Sequence, residues 1–414
     1  MKRSFGFLII VLLAGASPAR GAENTVVWIS LDGLRNDYVQ RAAAPTLTRL
    51  EQEGAYTNQE HAIFPSLTFP NHISQVTGTT VDHHGIPMNS FFDEGTGKNY
   101  VYPTQDSLIR AEPIWVTAKR QGLRVAVIDW PVSNAQTGQW KSDYFTDHYD
   151  TVRTDAQRLD QVVAILKKDP GNPPLRLIMS YMASVDHAGH SFGPEDAENM
   201  NRAVLNADAA LGAFLKSVLA WFDATHSDTD DLYFIISTDH GMETMHEQVS
   251  LDRLLGPELV AGTKIVASGP MASIYFTDIP DAEKAERANQ ILAKLKTVDY
   301  ATAWKAQDIP ASYHYSDPTR IGQIVVALKL GYTFSEFRIT ATQPAHPGLR
   351  GMHGYDPAVS TKLLGTAIIW HYHHPMHGAD LGPIVNTQWH ATVARLLGIQ
   401  PAPGADPRPI PLPQ

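Results

Sequence analysis

A chain of 414 residues, 43% apolar and 18% charged, is long enough for one large α/β domain or two smaller ones, and its composition excludes a disordered polymer. It contains no cysteine, so disulfides are excluded and stability rests on core size and any bound ions. A formal net charge of −10 with no basic run argues against long polynucleotides as partners, and an acidic protein that handles anions needs local positive charge, which metal ions supply.

Residues 1–22 read as a secretory signal peptide. Lys2 and Arg3 form a positive start, Phe5–Leu13 is a short apolar run, and Ala14-Gly15-Ala16 and Ala19-Arg20-Gly21 are candidate cleavage sites. Export to a periplasm or the medium is the expectation. The run is too short to span a bilayer, and no later stretch reads as a transmembrane helix, so no stable membrane insertion is expected.

Thr25–Leu31 is a continuous apolar, β-branched run and reads as a buried parallel strand ending at Asp32-Gly33. A helix over Pro45–Glu53 follows. Phe64–His72 (FPSLTFPNH) sets one hydroxyl, Thr68, between Pro65 and Pro70, which stiffen the backbone around it; a short helix over His72–Val76 comes next. Thr79–Asn99 reads as a loop. Helices are expected over Glu112–Gln121, Thr154–Lys168 and about Pro194–Phe222, and strands over Leu123–Asp129, Leu175–Ala183 and Asp231–Ser237. This alternation argues for a doubly wound, mostly parallel sheet, with ligands at the carboxyl ends of its strands.

Residues 23–241 thus form the first part of a catalytic core. Residues 242–349 change pattern and read as an inserted small α+β subdomain, with strands over Lys264–Phe276 and Ile321–Leu328 around a helix over Asp281–Lys296. Residues 350–403 return to the core with a strand over Leu363–Ile369 and a helix over Gln388–Leu397. Residues 404–414 are a proline-rich tail, expected to wrap the surface or stay disordered.

Several core strands end in acids or histidines: Asp32, Asp186 with His190 in D-x-x-x-H spacing, and Asp239-His240; His353 stands apart in Gly351–Asp356. Three carboxylates and three imidazoles suit zinc. Adding Thr68 makes seven donors, enough for two metals with open positions. Each motif alone is weak, since a strand-ending Asp is often a helix cap and a lone His a satisfied structural residue.

With FPSLTFPNH stand HGIPMN (84–89), WVTAKRQG (115–122), VDHAGHSFGP (185–194), STDHGM (237–242), HGYDP (353–357) and LLGIQPAP (396–403). In these the chain resembles the nucleotide pyrophosphatase/phosphodiesterase family of the alkaline phosphatase superfamily, over about Val26 to Pro403. The resemblance implies an alkaline phosphatase-like fold and two Zn2+. It implies Asp32, Thr68, Asp239 and His240 around one ion, and Asp186, His190 and His353 around the other. Thr68 matches the nucleophile, and Asn89 the donor to a phosphoryl oxygen. The implied reaction cleaves nucleotide 5′-phosphodiesters and pyrophosphates to nucleoside 5′-monophosphates through a phospho-threonine. The partner is a small phosphodiester or nucleotide, with Phe69 and Tyr181 as substrate-binding aromatics that sandwich the base.

Rival readings within the superfamily are a phosphomonoesterase, a phospholipase C-like enzyme and a phosphonate hydrolase. The lack of an arginine immediately beside Thr68 and of a third magnesium site argues against the first. From another class comes a metal-bearing periplasmic binding protein, against which the retained nucleophile and donor weigh. His72 is a candidate support for the ligands. The run Trp370–Gly378 (WHYHHPMHG) matches no family ligand and reads as a surface or rim loop, as do His83 and His84.

Overall fold

The strand Asn24–Leu31 is buried along nearly its whole length. Its side chains alternate: Val27, Ile29 and Leu31 point into one core layer, Val26 and Trp28 into the other. The first layer is completed by the helices Tyr38–Ala42, Pro45–Glu53, Asp155–Lys168 and Ala197–Thr225. Thr68–Thr77, Ile114–Arg120 and Gln388–Leu397 cover the second, where Trp28 meets Trp130 and Trp389 at 4.8 and 5.7 Å. A strand with both faces covered has no need of alternating polarity, which is why it reads as one apolar run. The computed structural model describes residues 23–335, 341–346 and 348–413; the expected signal peptide lies outside them.

Across the nine-stranded sheet the order is Ala379–Asp380, Ala55–His61, Gly365–His371, Asp231–Ser237, Asn24–Leu31, Leu175–Met182, Arg124–Ile128, Tyr144–Phe145, with Ile384–Val385 also on Ala55–His61. The five strands from Asp231–Ser237 onward are parallel. Gly365–His371 alone runs against both of its neighbours. The sheet is doubly wound and mostly parallel, of the alkaline phosphatase-like type.

Other expectations shift. Ala55–His61 (AYTNQEH) is a strand that polarity conceals. Its Glu60 is buried and accepts from Trp389 Nε1 (2.6 Å) and Thr238 N (3.0 Å). The long helix begins at Ala197, where the Asp196 side chain caps Asn199 N, and runs to Thr225. By length and composition this helix could cross a membrane, contrary to the expectation that no later stretch would; it buries Val204, Leu211, Leu215 and Phe222 against the sheet. Residues 79–99 hold a short helix, Val81–His84, and the first strand of a hairpin, Ser90–Asp93 with Lys98–Val101.

Within 242–349 lies a four-stranded antiparallel sheet: Thr263–Ser268, Met271–Phe276, Ile324–Leu328, Ala301–Lys305. The run read as one strand is a hairpin, turning at Gly269 (φ +55°). The helix Asp281–Leu295 packs Ala288, Ile291 and Leu295 into this sheet's core. Met271, Ile321 and Val325 from this region pack against Phe64 and Leu67, just before Thr68. The tail from Pro401 wraps the last helix: Ile410 is buried, and its N–H donates to Thr392 Oγ1 (2.8 Å).

Candidate active site

Parallel strands bring Asp32, Asp186 and Asp239 to one sheet edge, each just past a strand's carboxyl end. Asp186 and His190 sit one turn apart on the helix Ser184–Phe192, so D-x-x-x-H is an i,i+4 pair on one face. Gly33 makes this convergence possible. Its φ is +66°, and an added Cβ would stand 3.0 Å from the Asp186 backbone.

Thr68 is the first residue of the helix Thr68–Thr77, which starts four residues earlier than expected and carries Pro70 in its first turn, where no N–H is missed. Asn71 locks the loop before it. Its Oδ1 accepts from Ile63 N (2.7 Å), and its Nδ2 donates to the Pro65 and Leu67 carbonyls (2.9 and 2.8 Å). Asn386 Nδ2 then ties Asn71 Oδ1 to the Asp239 carbonyl, 3.0 Å each way. Neither asparagine stood out in the sequence.

The imidazoles share one design. The Nδ1 of His190 meets the Gly351 carbonyl at 2.8 Å, that of His240 the Gly241 carbonyl at 2.9 Å, and that of His353 the Ser66 carbonyl at 3.0 Å. A carbonyl only accepts, so each Nδ1 carries a proton, and in the neutral imidazole that leaves the Nε2 lone pair turned to the site. Those lone pairs have company. His190 Nε2 and His353 Nε2 are 3.2 Å apart, and Asp186 Oδ1 is 3.4 and 3.6 Å from them. His240 Nε2 is 2.9 Å from Asp239 Oδ2, 3.5 Å from Asp32 Oδ1 and 3.2 Å from Thr68 Oγ1. Two groups form, Asp186/His190/His353 and Asp32/Asp239/His240, with Thr68 beside the second.

Asp32 Oδ1, Asp186 Oδ1 and Asp239 Oδ2 are buried and make no hydrogen bond, and these are the oxygens that face the Nε2 atoms. Leaving such charges unpaired costs several kcal/mol per ion. Burial, with Asp239 and Asp186 nearby, drives the Asp32 carboxyl well above its usual range. Burial also raises Asp239, but His240 and His72 outweigh it and bring its carboxyl to about 2. His353 is pushed well down by burial and by the two imidazoles beside it. Tetrahedral zinc ligands stand about 3.3–3.5 Å apart, from bond lengths near 2.1 Å. The donor set therefore fits two divalent cations in composition and spacing.

His72, fully buried, meets the Thr68 carbonyl through Nδ1 (2.9 Å) and Ser30 Oγ through Nε2 (2.8 Å), with Asp239 Oδ2 3.4 Å from Nδ1. It braces the cluster from behind. Asn89 Oδ1 accepts from Phe69 N at 2.9 Å, so its Nδ2 is the group it can offer the cavity. His84 is buried on Ser74 Oγ (3.1 Å) and is no surface residue; His83 is exposed.

A cavity of about 450 Å³ opens beside Thr68, lined by Phe69, Asn89, Tyr102, Tyr149, Tyr181 and His187 among others. Tyr181 is nearly buried; its hydroxyl donates to Asp32 Oδ2 and its ring meets His72 edge-on at 5.3 Å. It borders the cavity but is committed to the cluster. Phe69 has Tyr102 as its ring neighbour, at 5.8 Å. Tyr149, missed in the sequence, is held by the Arg158 guanidinium 4.6 Å from its ring. No local motif marks Tyr149 or Tyr102; only the fold brings them to Thr68.

A buried double nest of carboxylates and imidazoles around one hydroxyl, on the carboxyl edge of this sheet, defines the class: an alkaline phosphatase-like protein with candidate metal groups. The chain belongs to the type I phosphodiesterase / nucleotide pyrophosphatase family, whose model matches residues 26–356. It is 29% identical over 406 residues to the bis(5′-adenosyl)-triphosphatase ENPP4 of Bos taurus, covering 94% of this chain and 80% of that one. An uncharacterized pyrophosphatase/phosphodiesterase of Schizosaccharomyces pombe is 27% identical over 410 residues, covering 95% and 82%. The solved murine ectonucleotide pyrophosphatase/phosphodiesterase 5 superposes with a TM-score of 0.76 at 22% identity, covering 92% of this chain and 96% of that one.

Proposed function

We propose that this chain is an exported, two-zinc hydrolase of nucleotide 5′-phosphodiesters and pyrophosphates that works through a covalent phosphate on Thr68. The observation that carries this reading is the convergence of three Nε2 lone pairs and three unpaired buried carboxylate oxygens beside one hydroxyl. Asp32, Asp239 and His240 with Thr68 would hold one ion, and Asp186, His190 and His353 the other. Bound there, the ions would supply positive charge that lowers the Thr68 hydroxyl pKa and offsets charge on the phosphoryl and leaving oxygens.

The chain's own residues supply placement. The Asn71 lock and the helix start aim Thr68 Oγ1 at phosphorus, where the Oγ1–P bond forms as the P–O bond to the leaving group breaks in line. The hydroxyl proton passes to solvent, and the leaving oxygen takes one up. Water then attacks phosphorus from the vacated side, and the P–Oγ1 bond breaks, regenerating Thr68. Asn89 Nδ2 donates to a non-bridging oxygen, an interaction that strengthens as charge builds there. His72 and Tyr181 keep Asp239 and Asp32 in place.

The group that stays on phosphorus needs a slot, and the aromatic cavity offers one for a flat base. The ENPP4 relatives are bis(5′-adenosyl)-triphosphatases by name, and an inactive threonine-to-alanine variant of murine ENPP5 was solved in complex with AMP. Both support a nucleotide substrate here. The test compares zinc-loaded protein on a nucleotide 5′-diester, a phosphomonoester and a choline phosphodiester. Fastest turnover of the nucleotide diester, with nucleoside 5′-monophosphate as product, is expected. Preference for the monoester or the choline diester would overturn the substrate class.

A further inference from the structure

A second set of metal-type donors stands at the other end of the sheet. Asp231 opens the strand whose far end leads to Asp239, so about seven residues, roughly 20 Å of strand, separate the two places. Gly365–His371 runs antiparallel beside it, which carries His371 away from Thr68 and sets it opposite Tyr233. Asp231 and Tyr233 are two apart and share a face of the sheet. His371 stacks on Tyr233, ring centroids 4.1 Å apart at 20°, which fixes its orientation. The chain then doubles back. His374 N donates to the His371 carbonyl at 3.3 Å, and His373 takes φ +65° at the turn.

The result is convergence on one oxygen. Asp231 Oδ1 is 2.9 Å from His371 Nε2 and 3.6 Å from His374 Nε2, and the three ligand atoms lie within 4.8 Å of one another. We propose that Asp231, His371 and His374 form a further binding site for a divalent transition cation of the zinc type, distinct from the cluster around Thr68. Two imidazoles with one carboxylate select Zn2+, Ni2+ or Cu2+ over Mg2+ or Ca2+. The two Asp231 separations, 2.9 and 3.6 Å, lie either side of the tetrahedral edge of about 3.3–3.5 Å. The His374 side chain is 65% exposed, Asp231 30% and His371 15%, so solvent reaches the remaining coordination positions. A bound cation would staple the first residue of one core strand to the turn that ends its neighbour.

The competing arrangement is a plain His371–Asp231 hydrogen bond, in which His374 has no part at 3.6 Å. His374→Ala separates the two, because this exposed side chain is removed without opening the core. Wild type and variant are stripped, dialysed against micromolar free Zn2+ and measured for bound zinc, melting temperature and diester hydrolysis. The expected result is one zinc fewer per chain in the variant, a zinc-induced rise in melting temperature that is smaller than in wild type, and unchanged hydrolysis. Cu2+ spectra of wild type should show a set of nitrogen ligands beyond those of the inner cluster, and His371→Gln should lose that set as His374→Ala does. Equal zinc content and an equal thermal response in wild type and His374→Ala would overturn the site.

Discussion

The two ends of the sheet hold the same side-chain types at the same spacing in opposite settings. Around Thr68, Asp32 and Asp239 are 1% exposed, and three carboxylate oxygens have no hydrogen bond. At the far end, Asp231 has His371 to satisfy it and water within reach. Donor identity and distance are therefore only half of a metal centre. The other half is burial, which turns an unused lone pair from a solvated group into one that destabilises the fold unless a cation meets it. A cation at the inner cluster should matter to folding and chemistry together, whereas one at the outer cluster should matter to local stability alone.

Chelation should show the largest contrast. Stripped wild type is expected to lose essentially all diester hydrolysis and to melt at a lower temperature; at a hundredfold excess of ligand over Kd, binding stabilises by about 2.7 kcal/mol. Thr68→Ala should match the loss of hydrolysis while keeping zinc by elemental analysis, and Thr68→Ser should keep part of the activity. A Thr68→Ala variant with wild-type kcat would remove the nucleophile assignment. Reproducible binding of one zinc or none by the inner cluster would remove the two-metal scheme.

Next in size is Asn89→Ala, expected to lower kcat/KM by about 10²–10³, the loss typical of one oxyanion donor. Zinc content should not change, since Asn89 bonds the Phe69 amide and no cluster residue. A variant that sheds metal would move Asn89 from chemistry to architecture.

Smaller again are the aromatics. Tyr149→Ala should weaken kcat/KM for a nucleotide diester by about 1–3 kcal/mol, the range for one stacked base, and leave a methyl-group diester nearly unaffected. Tyr181→Phe removes the hydroxyl from Asp32, so its loss should be equal for both substrates. If Tyr181→Phe were selective for nucleotides and Tyr149→Ala were not, their roles would be exchanged.

The smallest effect concerns Glu51, a buried acid whose carboxylate meets the Gln40 amide rather than an imidazole or a cation among the described residues. Burial outweighs the Gln40 hydrogen bond and lifts its carboxyl from 4.5 to about 7. A carboxyl raised in the folded state stabilises fully below its unfolded pKa, and that contribution fades as pH rises through the folded value. Melting temperature should thus fall between about pH 4.5 and 7 more steeply in wild type than in Glu51→Gln. Parallel profiles would show that Glu51 does not titrate there.

The sequence by itself determined the central strands of the sheet, because strands buried on both faces read as nearly continuous apolar runs, as Thr25–Leu31 and Leu232–Ile236 do. It also singled out Asp32, Asp186, Asp239 and His240 as candidate donors, because they stand at or just past the ends of those apolar runs; the fold adds His190 and His353 to them in two candidate metal groups. It did not disclose Ala55–His61, whose polar residues are satisfied only by distant partners such as Trp389 Nε1 on Glu60. Nor did it disclose which nitrogen each histidine offers, since that follows from carbonyls at Gly351, Gly241 and Ser66 that the fold delivers. Tyr149 reaches the cavity, and Tyr181 turns its hydroxyl to Asp32, through packing that no local spacing encodes. The run WHYHHPMHG reads as a surface loop until the antiparallel direction of Gly365–His371 sets His371 and His374 beside Asp231, about 140 residues earlier in the chain. Strand direction is settled by which neighbour completes the sheet's hydrogen bonds, a tertiary choice that a seven-residue apolar run leaves open.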